Sequence, residues 1–297
     1  MNSYVFVAVG SGPLNPHFIN SLIQTFKHFK LTHENLETSS ALLQISLQSP
    51  EKLDPEKFKM ALMDISNIYK IDAAIFEEDF FRKGKKLVVF DMDSTLIQHE
   101  VIDEMALVYG IGDKVKLITE RAMNGELNFD QALRERVALL KGLPRAEMEN
   151  IYSNLKITPG VEKFIQTVRA HGYKTAIVSG GFKYFAEKFK TRLHMDYAFA
   201  NDLDWDGEVL SGKVSGEIIN AQKKAELLDH IAKLEKIDIS QVVAVGDGAN
   251  DLLMLAHAGL GVAFHAKQKV REQSRHQVSH GPMTTLLYFL GIPGDHT

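Results

Sequence analysis

The chain has 297 residues, 45% of them hydrophobic and 24% charged, the balance of an ordinary globular protein long enough for one large domain or two modest ones. That excludes long disorder, collagen-like repeats and a coiled coil as the main architecture. A formal net charge of −4, from 34 basic and 38 acidic residues, leaves no positive excess to hold a nucleic acid backbone. The absence of cysteine excludes disulfides, thiolate metal sites and cysteine nucleophiles, and makes the reducing cytoplasm the expected compartment.

Tyr4 to Val9 is a short β-rich run closed by the turn residues Gly10, Ser11, Gly12 and Pro13. With no basic start before it, this run predicts no targeting signal. Apolar runs elsewhere fall far short of the roughly 20 residues that span a bilayer, so no membrane partner is expected. From Asn15 to Phe29, Phe18, Leu22, Phe26 and Phe29 share one helical face. Ser40 to Gln48 alternates as a strand, and Asp54-Pro55 caps a second helix carrying Phe58, Leu62, Ile65 and Tyr69. Ala73 to Phe76 is a further strand. With a polar strand assumed within Lys30 to Glu37, residues 1–80 read as a β-α-β-β-α-β ferredoxin-like α+β domain.

Phe81 to Lys86 (FRKGKK) is a basic, glycine-containing connector, and a second domain is predicted over 86–297. Leu87–Phe90, Thr175–Val178, Val242–Val245 and Leu260–Phe264 are short apolar runs separated by helix-length segments, the pattern of an α/β doubly wound parallel sheet. The first three end in DMDST, SGG and GDGAND. Carboxyl ends of parallel strands line the binding crevice, so these clusters are expected to converge. Val101 to Asn154 is helical in pattern, with N-terminal signals at Asp113 and Asn128 and breaks at Gly125 and at Gly142-Leu143-Pro144. An insertion of this length is too long for a loop and predicts a helical cap over about 101–157. Tyr197 to Gly216, with DWDG inside it, predicts a hairpin covered by Trp205.

Asp91 and Asp93 are two apart on an extended segment, so both carboxylates can face one site. Paired carboxylates repel unless a cation joins them or one holds a proton, which suits a nucleophile and a general acid beside a hard cation such as Mg²⁺. Asp247 adds a third carboxylate, and Asp251 follows it by four. Taken singly, the other features are ordinary. Ser179-Gly180-Gly181 reads as a tight turn, Lys224 as a solvated helix residue with Lys223 as its register alternative, and Glu100 and Arg136 as surface charges. The twelve histidines have no metal-ligand spacing, and His257 and His265 read as packing or surface groups.

As an ordered set, FDMDSTL, VSGGF, Lys224 in AQKKAELL and VGDGANDLLML resemble the four motifs of haloacid dehalogenase-type phosphatases. HEVIDEMA, LNFDQALRERVALLKGLP, YAFAN and GVAFHAK extend the likeness to the phosphoserine-hydrolysing branch of that family, from about Lys86 to the C-terminus. The resemblance implies a haloacid dehalogenase-like core and Mg²⁺-dependent hydrolysis of phosphoserine, as the last step of serine synthesis. Asp91 would be the nucleophile forming an aspartyl-phosphate, and Asp93 the general acid and base. Asp91 and Asp247, with the Asp93 backbone carbonyl, would hold the metal. Ser179 and the Gly180 amide would bind phosphoryl oxygens and Lys224 would neutralise them, with Asn250 and Asp251 positioning the phosphoryl group and the metal shell. In the cap, Arg136 would take the substrate carboxylate and Glu100 its ammonium, while Met123 and Phe129 would exclude water. Hydrolysis or transfer of another small phosphate by the same core stays open. The layout of residues 1–80 also resembles ACT regulatory domains, yet its first turn, GSGPLN, lacks their usual signature. Amino-acid sensing and homodimerisation are both roles open to that unit.

Overall fold

The computed structural model describes residues 1–33 and 40–293. The first unit runs β1 (Asn2–Val9), α1 (Pro16–His28), β2 (Thr32–His33), β3 (Leu42–Ser49), α2 (Pro55–Tyr69) and β4 (Asp72–Glu77). Its strands pair antiparallel in the order β2-β3-β1-β4, the arrangement the ferredoxin-like reading predicts. Asn15 and Asp54 accept backbone amides at the starts of α1 and α2, each followed directly by proline, as the capping pattern requires. The polar strand is short: Thr32 and His33 form it, and residues 34–37 of the assumed stretch lie outside the described residues.

The connector differs from expectation. Phe81 and Arg82 belong to a helix, α3 (Glu78–Arg82), because Phe81 packs its ring on Phe76 instead of facing water. Beyond it, β5 (Leu87–Phe90) leads into four helices, α4 (Val101–Val108), α5 (Gly112–Met123), α6 (Phe129–Leu139) and α7 (Arg145–Asn154). These fill the predicted cap. Asn128 starts α6 with a reciprocal capping box to Gln131. Asp113 caps nothing: α5 begins one residue earlier at Gly112, so the Asp113 carboxylate only meets the positive end of the helix dipole.

The chain returns through α8 (Val161–Ala170), β6 (Lys174–Phe182), α9 (Lys183–Arg192), β7 (Tyr197–Asp206), β8 (Val209–Ser215) and α10 (Ala221–Leu234). It ends with β9 (Val242–Gly246), α11 (Leu252–His257), β10 (Leu260–Phe264), α12 (Gln268–Gln273), β11 (His276–Val278) and α13 (Thr285–Phe289). The seven strands lie in the order β11-β10-β9-β5-β6-β7-β8, parallel apart from the β7–β8 hairpin. Leu228, Ile231 and Met254 pack on one face of this sheet and Phe164, Ile165 and Phe185 on the other, which is the doubly wound arrangement. Both crossings into the cap pair with each other. Ile97 bridges Ile157, the Gln98 amide donates to the Lys156 carbonyl at 2.9 Å, and the Thr158 amide to the Leu96 carbonyl at 2.9 Å. Among the described residues no helix is long and apolar enough to cross a membrane.

The two sheets are not independent bodies. The Asp72 carboxylate, 2% exposed, accepts the Ser279, His280 and Gly281 amides, with the Ser279 and Gly281 bonds both at 2.7 Å. At the same seam the His276 ring lies on Phe76, centroids 4.8 Å apart. Burial, with Arg275, Lys59 and Lys85 nearby, pushes the His276 pKa down to about 3 from its ordinary 6.5. Between those values the unfolded chain binds a proton that the folded one refuses, so stability is full above pH 6.5 and declines as the pH falls towards 3. We expect the melting temperature to fall over this interval less steeply in His276→Gln than in the unsubstituted protein; equal slopes in thermal melts would remove His276 as the cause.

Candidate active site

The site begins where β5 stops. The Asp91 amide still donates to the Val245 carbonyl of β9 at 2.9 Å, so Asp91 is held at the carboxyl end of a central strand. Residues 92–96 then turn sharply, with Ser94 at φ +56°, a left-handed conformation that costs a non-glycine residue about 1 kcal/mol. The turn is locked by its own bonds: the Asp91 carboxylate accepts the Met92 amide at 2.7 Å, and the Ile97 amide returns to the Met92 carbonyl at 3.1 Å.

The three strand-end clusters meet. Lys224, reaching in from α10, is fully buried and pairs with Asp91 Oδ1 at 2.9 Å and Asp251 Oδ1 at 2.6 Å. That settles the register: Lys223 points outward to Glu217 and Glu226. The second oxygen of Asp251 accepts the amides of Asp247 and Gly248 at 3.1 and 2.9 Å, closing the turn after β9. Asp247 accepts the Thr95 hydroxyl at 2.9 Å. Carboxylate oxygens of Asp91, Asp247 and Asp251 all lie within 4.8 Å of one another, a group able to hold a metal ion.

Their electrostatics follow from burial. Burial first, then the Asp251 charge, pushes Asp91 up to about 8 despite Lys224 and Asp247 up to about 7. Asp93 is held well above the ordinary carboxylate range by burial, then by Glu100 and Asp91. Burial works against the charge on Lys224, yet Asp251 and Asp91 together hold its pKa well above the usual lysine value. The Asp93 Oδ1 atom is buried without a hydrogen-bond partner. A cluster of carboxylates that resists ionisation, with one oxygen unpaired, fits a hard divalent cation bound through oxygen.

Ser179, at the end of β6, is fully buried, and its hydroxyl oxygen accepts the Gly181 amide at 2.9 Å, which leaves its proton free to donate. Two glycines here are required by space. A Cβ on Gly180 would lie 2.7 Å from Phe129, and one on Gly181 would lie 2.8 Å from Asp93 Oδ2. Phe129 therefore sits directly on the Ser179–Gly181 loop. Glu100 accepts the Ser94 hydroxyl at 2.7 Å. Arg136 donates Nε to the Ala132 carbonyl at 3.3 Å, and its guanidinium lies in the field of Asp103, Glu100 and Asp93. Asn250 lies in the turn after β9, folded back against Gly248. Met123 is not brought in: it ends α5 and is 70% exposed.

Sequence reasoning passed over several residues. Asn201, 2% exposed, donates to the Gly180 carbonyl and accepts the Ile219 amide, both at 2.8 Å, and so fixes the loop below Phe129. It is the last letter of YAFAN, a polar residue ending an apolar strand run. Thr95 lies inside DMDST. Asp103 stands three residues after Glu100, one helical turn further along the same face of α4. His257 pairs with Asp229 and His265 with the Gly281 carbonyl, both away from this cluster. Trp205 lies beneath the Arg145 guanidinium, 3.9 Å from the ring centroid, at the hairpin.

Residues 85–259 match the model of the haloacid dehalogenase-like hydrolases. The chain belongs to that family. It is 47% identical over 215 residues to a phosphoserine phosphatase of Archaeoglobus fulgidus, covering 72% of this chain and 62% of that protein's own length. A solved haloacid dehalogenase family hydrolase from Salmonella enterica serovar Typhi superposes over all of both chains with a TM-score of 0.86 at 29% identity. A solved probable phosphoserine phosphatase from Vibrio cholerae superposes over 98% of this chain and 86% of its own, with a TM-score of 0.78 at 35% identity. The family match thus covers β5 to β9 of the sheet and the cap, with all three strand-end clusters.

The carboxylate cluster makes a prediction independent of turnover. Asp247→Asn removes one of the crowded negative charges, so we expect the metal-free protein to melt higher than the unsubstituted one. We expect the same variant to lose most of any melting-temperature rise that a divalent cation produces, with Mg²⁺ as the probe. Thermal melts in EDTA and in millimolar Mg²⁺ check both; an unchanged Mg²⁺ response would remove Asp247 from the metal site.

Proposed function

We propose that the chain is a Mg²⁺-dependent phosphoserine phosphatase that releases L-serine and phosphate. The observation that carries this reading is the charge pattern around Asp93. The core offers Lys224 and the Ser179 hydroxyl to a phosphoryl group, while the Arg136 guanidinium and the Glu100 carboxylate, with Asp103 beside them, lie in the field of the same Asp93. A substrate with a phosphate, a carboxylate and an ammonium matches that set. The phosphoserine phosphatases among its relatives support the choice. Residues 1–80 and 86–297 would be two domains, a division supported by their separate sheets.

Asp91 attacks phosphorus, forming the aspartyl P–O bond as the bond to the seryl oxygen breaks. Asp93, kept protonated by burial and by Glu100, delivers its proton to that leaving oxygen. A water then attacks the same phosphorus, Asp93 takes its proton, and the Asp91–phosphorus bond breaks to free phosphate. Lys224, the Ser179 hydroxyl and the Gly180 amide compensate the charge on the phosphoryl oxygens throughout. Asp251 keeps Lys224 charged and aimed. Asn250 would position the phosphoryl group. Phe129 covers the loop and excludes bulk water. Mg²⁺, held by Asp91, Asp247 and the Asp93 carbonyl, would supply the positive charge that lets the crowded carboxylates ionise and would polarise the phosphoryl group.

Phosphate release in Mg²⁺ from O-phospho-L-serine, measured beside p-nitrophenyl phosphate, tests the reading; activity on the aryl phosphate alone would keep the core chemistry and discard the substrate. Asp91→Asn, nearly isosteric, is expected to lower kcat by about a thousandfold or more while preserving the fold, as circular dichroism would show. Arg136→Ala is expected to cost about 100-fold in kcat/KM on phosphoserine and little on the aryl phosphate. Equal losses on both substrates would move Arg136 out of the carboxylate role.

A further inference from the structure

Besides the packing of α7 on α9, where Glu149 meets Lys188 and Tyr184, three contacts between the cap and the rest of the chain bear on its closure. One is the paired hinge at Ile97 and Ile157. A second is the β7–β8 hairpin, where the Gly142 and Arg145 amides donate to the Leu210 and Glu208 carbonyls, each at 2.8 Å. The third lies at the site itself, where Phe129 rests on Gly180 and the next residue, Asp130, accepts the Asn220 side-chain amide at 3.1 Å. We propose that Asp130 is a positioning residue that, through its hydrogen bond to Asn220, holds the cap closed over the phosphoryl-binding loop. This rests on the phosphatase reading above and adds to it a residue that touches no substrate.

Asn220 is the N-cap of α10, the helix that carries Lys224, and its Oδ1 accepts the Lys223 amide at 3.1 Å. With its oxygen committed to the helix, the amide can present only its N–H₂ to the cap, and its fitting partner is an acceptor. A carboxylate makes that bond a charge-assisted one. Asp130 stands in the first turn of α6, the helix that carries Arg136, and directly follows Phe129. One hydrogen bond therefore links the helix bearing the core's cation to the helix bearing the cap's cation. A small outward swing of α6 would break it, lift Phe129 from Gly180 and carry Arg136 away from Asp93. Asn220 joins the same strip of structure to the loop, since the Ile219 amide beside it is held by Asn201, which also holds the Gly180 carbonyl.

Exchanging the pair tests this directly. Asn220→Asp keeps an excellent N-cap but sets a carboxylate against the Asp130 carboxylate. Adding Asp130→Asn restores a donor, an acceptor and the original net charge. We expect the single variant to raise KM for phosphoserine about tenfold, with kcat on p-nitrophenyl phosphate changed less, and the double variant to recover most of the loss. Hydrogen exchange of the amides from Phe129 to Leu133 is read in parallel: faster in Asn220→Asp, restored in the exchanged pair. If Asn220→Asp behaves as the unsubstituted protein in KM and in exchange, or if the exchanged pair rescues neither, the proposal is overturned. If the unsubstituted protein releases no phosphate from phosphoserine, the substrate reading fails instead, and the exchange measurements alone decide the role of Asp130.

Discussion

The ammonium of Lys224 is the point on which the active end of the sheet depends. It is the only cation within bonding distance of the buried carboxylates of Asp91 and Asp251 among the described residues. A charge this deeply enclosed is stable only when it is paired, and here two carboxylates pair it. Asp251 passes the constraint on, because its other oxygen holds the Asp247 and Gly248 amides. The end of β5, the turn after β9 and the first turns of α10 are thereby drawn to one place. The same interaction leaves a surplus: three clustered carboxylates face one ammonium. Burial first, and then that surplus, raises Asp91 and Asp247, and the cluster becomes a receptor for added positive charge.

Core and cap divide the remaining work by kind of force. In the core, fixed backbone and short side chains set position: the Gly181 amide to Ser179, the Asn201 amide to Gly180. In the cap, the hinge, the packing of α7 on α9 and a few polar contacts at the site locate Phe129, Arg136 and Glu100. A closing element built this way is adjustable by design of its rim, since changing one rim contact alters the cap without disturbing the aspartates. Such separation allows one core chemistry to serve different substrates in a family of shared fold.

The core was readable in the sequence because its signals are local. Short apolar runs ending in DMDST, SGG and GDGAND give both the strands and the end of the sheet where chemistry lies, and the structure brings all three together. Asn128 and Asp54 were readable as caps for the same reason: the cap is a bond between residues two or three apart. Lys224 over Lys223 could not be decided locally, since both lie on an amphipathic helix; only the fold shows which of the two faces Asp91. Asn201, Asn220 and Asp130 escaped for a related reason. Their partners are 18 to 90 residues away, and a lone Asn or Asp carries no periodic pattern. Met123 shows the opposite failure, in which a motif position predicts a contact that the end of α5 does not make.

The N-terminal sheet illustrates how much a single apolar run can hold. Residues alternate along β1: Tyr4, Phe6 and Ala8 enter the core beneath α1 and α2, while Val5 and Val7 enter the same core as Phe90 and Phe289. Both faces of this strand are covered, which is why YVFVAV is continuous where a sheet with one wet face would alternate. A freely hinged sensor would need its second face polar. Here that face is apolar and its seam is fastened, by Asp72 gripping three successive amides after β11 and by Phe76 packed among Phe80, Phe81, His276 and Phe289. The loop that Asp72 grips also touches the cap hinge, since the Met283 amide donates to the Pro159 carbonyl at 2.9 Å, one residue beyond Thr158. The N-terminal unit is therefore part of the frame against which the cap turns: its removal would uncover the apolar side of α13 and release the loop that steadies the hinge.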